Sequence, residues 1–309
     1  FVSKTVLSQD IAVDSGSGVG DIAFNSTIDG TTTNTESLSL NAGSLGRIDI
    51  RGPVGNLVPL KTLRIVNSNG AAFGLTDTDS IIAGTSIVIE SSRPGADIVF
   101  NGAVITNQLL TYSDVTHVND AYDLFILGSG TDVGVGTLEN SGLLVLGNST
   151  TDSILFRAGV TALSPSSVRL DGTTRTYDAP VLIGDSNTTV YVASGSSAID
   201  TTQRSTVGAS ITIGGNIEGI TGGGGENLRL NAGTSGDILF QGDVGGTNRP
   251  GVLQITNARN VTIGNITAQA FLQDTGTGTT TLNGAVDTNA VAGVTLTTVN
   301  IIVNSSITT

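Results

Sequence analysis

The chain has 309 residues, 42 of them glycine, with 4% aromatic and 13% charged residues, no cysteine, methionine or tryptophan, and a formal net charge of −13. An average globular domain carries about 25% charged residues and more large core side chains, so the composition argues for a thin, turn-rich fold rather than an ordinary compact one. The missing cysteine excludes a disulfide or a thiolate-held metal, and net acidity with scattered Lys and Arg argues against nucleic acid or an anionic membrane surface as partner.

The opening "FVSKTVLSQDIAV" reads as strand, and Phe1 is not a translation start. Either trimming or processing of an exported chain accounts for it. No basic-plus-apolar leader and no apolar run long enough to span a bilayer occurs. A nine-residue pattern then recurs: small, any, Ile, any, Ile/Phe, any, Gly, any, Val. Its copies are "GDIAFNSTI" (20–28), "GRIDIRGPV" (46–54), "ADIVFNGAV" (96–104), "DSILFRAGV" (152–160), "ASITIGGNI" (209–217), "GDILFQGDV" (236–244) and "GTTTLNGAV" (278–286). Period-2 alternation makes each a strand with one apolar face, closed by a small residue. That residue is Gly52, Gly102, Gly215, Gly242 or Gly284, replaced by Ser26 and Ala158 in two copies.

The copies begin at positions 20, 46, 96, 152, 209, 236 and 278. Most of the gaps are one or two units of about 25–28 residues, a period that marks a repeat architecture. The double gaps hide worn copies at their midpoints, "DLFIL" (123–127) and "PVLIG" (180–184), with a weaker one in "AAFGL" (71–75). The gap between the copies at 236 and 278 does not fit, so the register slips near the C-terminal end. A longer repeat lies over the short one. "SLSLNAGSLGRIDIRGPVG" (37–55) aligns without gaps to "NLRLNAGTSGDILFQGDVG" (227–245). "LTYSDV" (110–115) and "RTYDAPV" (175–181) form a second paired feature.

No stretch shows sustained helical periodicity, and clusters such as "TTTNTES", "TGGGGEN" and "GSGTD" punctuate the strands as turns. Strand and turn repeating at a constant unit length predict an all-β fold. It is a parallel β-helix, or β-solenoid, with coils of about 25–28 residues, running as one continuous domain over 1–309 with its strongest repeats at 20–67 and 209–257. Ile48, Ile50, Ile98, Phe100, Ile238 and Phe240 are expected to point inward in columns. Regular apolar triplets and a mean hydropathy of +0.21 argue against disorder. About twelve coils at roughly 4.8 Å each give a rod of about 55–60 Å. The last stretch, "GVTLTTVNIIVNSSITT", has no charge after Asp287 and no capping helix. Uncapped edges pair with other chains, so a slice of a longer polypeptide or an end-to-end subunit is expected, with copies of itself or flanking coils as partner.

Chemistry-bearing residues are few. His117 is the single histidine, flanked by Asp114 and Asp120, but alternation sets Asp114 on the opposite face, so no Ser-His-Asp signature results. Paired carboxylates for sugar cleavage would have to come from Asp77 and Asp79, or Asp120 and Asp123, in stretches where Asp is expected for turn bonding. "GGGGEN" (222–227) lacks the Lys-Ser/Thr of a phosphate loop. Turn Asp and Asn could hold structural calcium, yet the calcium-binding β-roll pattern is missing. The Asn-x-Ser/Thr triplets at Asn25, Asn148, Asn187, Asn260, Asn265 and Asn304 are expected by chance in such a composition. No catalytic, cofactor-binding or metal-binding residue is assigned.

"SLSLNAGSLGRIDIRGPVG", "ENLRLNAGTSGDILFQGDVGG" and "LTYSDV" resemble the repeats of filamentous-haemagglutinin-like and related giant bacterial surface adhesins. The resemblance runs through most of the chain, least clearly in 69–92 and 287–309. It implies export to the bacterial cell surface and a non-enzymatic, fibre-like role in attachment, with surface glycans or other cells as possible contacts. A self-assembling extracellular filament or sheath, and a polysaccharide-binding or polysaccharide-cleaving β-helix protein, stay open as alternatives.

Overall fold

The computed structural model describes residues 1–309 except Ser17, 113–120, Ser194 and Gly222. Among the described residues there is no helix, about 51% of the chain is strand, and the strands stack in parallel as coils of a β-solenoid, about 12 turns counted over the whole chain. The contacts divide the chain into two compact units, Phe1–Gly147 and Asn148–Thr309.

In the N-terminal unit each turn lays one short strand on a sheet made of Ile22–Phe24, Ile48–Ile50, Ala71–Phe73, Asp97–Phe100, Asp123–Ile126 and Leu143–Leu146. The pairing is parallel and in register, so Phe24, Ile50, Phe73, Phe100, Ile126 and Leu146 fall in one column. All six are buried. Within that column the Phe73 and Phe100 rings stack at 4.9 Å, which adds to the area they remove from water. The other strands of each turn, Ser37–Asn41, Leu60–Asn67, Ile81–Ile89 and Val104–Thr111, carry further columns, such as Leu38, Leu63, Ile87 and Leu109.

The C-terminal unit repeats this plan on three faces. One carries Val181–Ile183, Ile211–Ile213, Ile238–Phe240, Val261–Ile263, Thr279–Leu282 and Asn300–Val303. A second carries Asn216–Gly219, Val244, Ile266–Ala268 and Val286–Thr288. A third holds the column Ile199, Leu230, Ile255, Gln273, Leu296. Ile238 and Phe240 are inward, at 1% and 4% exposure, as their alternation predicts.

The turns are about 24 residues apart, closer than the sequence spacing suggests, and far from constant. Val181 pairs with Ile211 across a long turn, whereas Val261 pairs with Thr280 across a much shorter one. The misfitting gap between the copies at 236 and 278 therefore holds two short turns, one from Ile238 to Val261 and one from Val261 to Thr280. Stacking needs the strands to align, not the loops to match, so length varies where the chain is outside the sheet. The worn copies are full strands: 71–73, 123–126 and 181–183 all pair on both sides.

The small residue after each strand has a definite cause. A Cβ on Gly242 would lie 2.5 Å from the Gly215 carbonyl carbon of the turn below, and one on Gly52 would lie 2.8 Å from that of Ser26. The same clash meets Gly102 against Asp79 O and Gly215 against Thr188 O. None of these glycines has positive φ, so the constraint is main chain packed on main chain, not backbone strain. The copy at 152–160 escapes it. There the chain turns at Gly159 (φ 100°), which bonds back to Phe156 O, and Ala158 is exposed. Thr280, which replaces the first Ile of its copy, is fully buried, and its hydroxyl donates to Gln273 Oε1 at 2.5 Å. One polar core residue is satisfied by another from the same turn.

Candidate functional site

Two of the carboxylates singled out in the sequence, Asp79 and Asp123, accept main-chain N–H groups. Asp79 Oδ2 accepts from Leu75 N (2.9 Å), Thr76 N (3.0 Å) and the Thr76 hydroxyl (3.1 Å), which closes the turn after Ala71–Phe73. Asp77 is exposed on that turn. Asp123 Oδ1 accepts Leu143 N at 2.7 Å from the next turn. Asp114, His117 and Asp120 lie outside the described residues. Among the described residues no group of three or more His, Cys, Asp or Glu is placed to hold a metal ion, and no helix is long and apolar enough to cross a membrane.

The structure gathers a different set of acids at one corner of each unit. In the N-terminal unit these are Asp29 and Glu36, 1% and 3% exposed, and in the C-terminal unit Glu218 and Glu226, 6% and 1% exposed. Asp29 Oδ1 accepts Leu57 N (2.9 Å) and Val58 N (3.3 Å). Glu218 accepts Thr247 N through both oxygens (3.1 Å each) and Asn248 N (2.6 Å). Each acid thus pins the loop of the next turn, 55–59 or 246–250. The backbone repeats as well: Gly30 N donates to Val58 O (3.0 Å) and Gly219 N to Asn248 O (2.9 Å). Gly55 (φ 65°) and Gly245 (φ 72°) open the loops in the left-handed region that glycine alone adopts freely.

Glu36 and Glu226 hold the preceding loop. Glu36 Oε1 accepts the Thr31 hydroxyl (2.5 Å) and Thr32 N (3.2 Å), and Glu226 Oε1 accepts Thr221 N (3.1 Å) and the Thr221 hydroxyl. The Thr31 hydroxyl outweighs burial and holds the Glu36 carboxyl below its ordinary range. Burial pushes Glu226 up, but the Thr221 hydroxyl and main-chain N–H groups together hold it below as well. Both carboxylates are ionised where they sit. Sequence reasoning missed this set because alternation sends Asp29 and Glu218 outward. The available signal was the twin "IDG" (28–30) and "IEG" (217–219), an acid between an inward Ile and a Gly at matching places of the long repeat.

The two corners differ in their cations. Lys4 Nζ lies 3.4 Å from Asp29 Oδ2, an oxygen that accepts no hydrogen bond. At the other corner Arg249 turns away from Glu218. Its Nη1 donates to Ala268 O (2.8 Å) and Asp287 O (3.2 Å), and its Nη2 to Asp287 Oδ2 (2.5 Å).

A second duplicated feature is a polar ladder at the "NAG" turns. Asn41 Nδ2 donates to Asp14 Oδ2 (3.1 Å) while its Oδ1 accepts Gly43 N (3.1 Å). Asn231 Nδ2 donates to Asp200 Oδ1 (3.2 Å) and Thr202 Oγ1 (2.9 Å), and its Oδ1 accepts Gly233 N (3.2 Å). Asn67 and Asn257 stack above them, after a bulge in each case. Shallow grooves lie over both ladders, lined by amides, hydroxyls and one carboxylate each, Asp14 and Asp274.

In the last turn Ile301, Ile302 and Val303 are 46–48% exposed, and Asn300–Val303 pairs with Thr279–Leu282 on one side only. Comparison with family models, with curated proteins and with solved structures found no match.

Proposed function

We propose that the chain is a non-enzymatic structural segment of an extracellular bacterial surface fibre or adhesin, in which the stacked turns provide reach. The observation that carries this reading is the use made of the polar groups. Asp29, Glu218, the Asn ladders and Arg249 are bonded to neighbouring turns, and side chains so committed serve the stack. Solenoid stability is close to a sum of turns and their interfaces, which suits a module whose useful property is length. The resemblance of 37–55 and 227–245 to giant-adhesin repeats supports the same reading. The test is surface labelling of intact cells that express the full open reading frame. Protease-accessible chain on the cell exterior is expected, and a wholly intracellular signal overturns the proposal.

A second reading rests on the half-exposed Ile301, Ile302 and Val303. An edge strand with apolar side chains and no charge recruits another strand. In this reading further coils, from the same polypeptide or from another copy, pair on 300–303 and extend the stack head to tail. Light scattering of the chain with and without Val299→Lys and Ile301→Lys tests it. Concentration-dependent growth that the lysines abolish is expected, and a dispersed monomer at high concentration in both forms counts against it.

A further inference from the structure

We propose that residues 245–250 form an ionic strap that ties four successive turns of the C-terminal unit together and holds them against local opening.

Main-chain bonds in a parallel stack join only adjacent turns. In this unit Ile217, Val244, Ile266 and Val286 mark four consecutive turns on one face. Glu218 in the first turn holds Thr247 N and Asn248 N of the second. From the second turn the Arg249 guanidinium reaches Ala268 O in the third and Asp287 O and Oδ2 in the fourth. A guanidinium suits this task because its planar fork can serve a carbonyl and a carboxylate together, which a lysine ammonium cannot match. The strap spans short turns that carry buried polar side chains in their columns. The turns beyond it are short, as the pairings of Val261 with Thr280 and of Ile266 with Val286 show. They bury Gln273 and Thr280 in columns whose neighbouring members, Ile255 and Val261, are aliphatic. Turns with little buried apolar area open locally at low free energy, and a side-chain tie across three turn interfaces resists that opening. In the N-terminal unit the corresponding loop, 55–59, has Lys4 and Asp29 on the side of the preceding turns and no arginine reaching forward.

Hydrogen exchange with peptide resolution on the full chain tests the strap. Arg249→Gln is expected to speed exchange over 261–309 about tenfold, as the loss of charge-assisted bonds implies, while 153–200 stays as in the unaltered protein. Arg229→Gln, the same charge change on an exposed outward residue of this unit, is expected to change neither region. Raising salt to about 1 M should loosen 261–309 in the unaltered protein but not further in Arg249→Gln, because screening acts on the same contacts. Exchange over 261–309 within twofold of the unaltered protein, equal loosening of 153–200, or an equal effect of Arg229→Gln overturns the strap. If Arg249→Gln does not fold, Asp287→Asn carries the test. It keeps the side-chain volume and must loosen 286–308, and an unchanged profile overturns the proposal.

Discussion

Residues 36–67 and 226–257 share a fold but not a surface. Both run strand, NAG turn, short strand, glycine corner and pinned loop, with matching left-handed glycines and a buried glutamate at the start of the first strand. What differs is outward. Ser39 of one is Arg229 of the other, Arg47 is Asp237, and Leu57 and Val58 are Thr247 and Asn248. Even the cation at the pinned loop faces opposite ways, Lys4 toward the preceding turns and Arg249 toward the following ones. Inward side chains, corner glycines and loop-holding acids are therefore what the turn requires, and the outer residues are what each turn can vary.

The most severe way to break the equivalence is a charge in the column. Ile238→Asp and Ile48→Asp each place an unpaired carboxylate among fully buried apolar neighbours. Each is expected to cost several kcal/mol, seen as a large drop in urea midpoint and as raised hydrogen exchange in its own unit. Similar stability for either variant and the unaltered chain removes the inward assignment. Next come the corners. Gly242→Val and Gly52→Val force a side chain against the main chain of the turn below and are expected to destabilise by about 1–3 kcal/mol. Ala158→Val, at the exposed turn that escapes the clash, should stay within about 0.5 kcal/mol. Equal melting shifts at all three sites would disprove the crowding argument.

The acids sharpen the comparison through pH. Glu36 and Glu226 both titrate below their ordinary value of 4.5 when folded. Their contribution is therefore complete above that unfolded value and is lost as pH falls through the lower folded one. Glu226→Gln should remove on the order of 1 kcal/mol at neutral pH and flatten the acid-side loss in the C-terminal unit. Glu36→Gln should flatten the acid-side loss in the N-terminal unit alone. Urea midpoints across about pH 5 to 3 read this, and an unchanged slope in both variants contradicts it. The smallest effect belongs to Arg259→Gln. Its pair with Asp237 (2.6 Å) joins two exposed side chains, and Asp237 is held low chiefly by that arginine. The melting shift should be slight and vanish in high salt.

The columns were legible because alternation and β-branched residues report inwardness directly: Ile48, Ile98, Phe100 and Ile238 are where the pattern places them. Turn length was not. A pairing such as Val261 with Thr280 depends on which strands align in space, and the length of a loop does not reveal that. The buried acids were hidden for a related reason. Asp29 and Glu218 do point off the column, as alternation says, but a loop from the next turn covers them. Asp79 looked like a candidate because turn-capping and catalytic carboxylates have the same composition, and only its N–H partners distinguish the two.

Turns of such unequal length over aligned strands, Val181 to Ile211 against Val261 to Thr280, make the fold a natural carrier for foreign sequence. The longer of these spends its surplus in an excursion between Asp200 and Ile211, held at its base by Asp178 through Ser205 and Gly208 N. Thr176, Tyr177 and Asp178 anchor the flanks of that excursion from the turn below. An epitope or a binding peptide grafted between Gln203 and Arg204 would project from the stack while leaving the columns on either side untouched, and neighbouring turns could be loaded the same way to display several copies at a spacing set by the sheet itself, about 4.8 Å per turn.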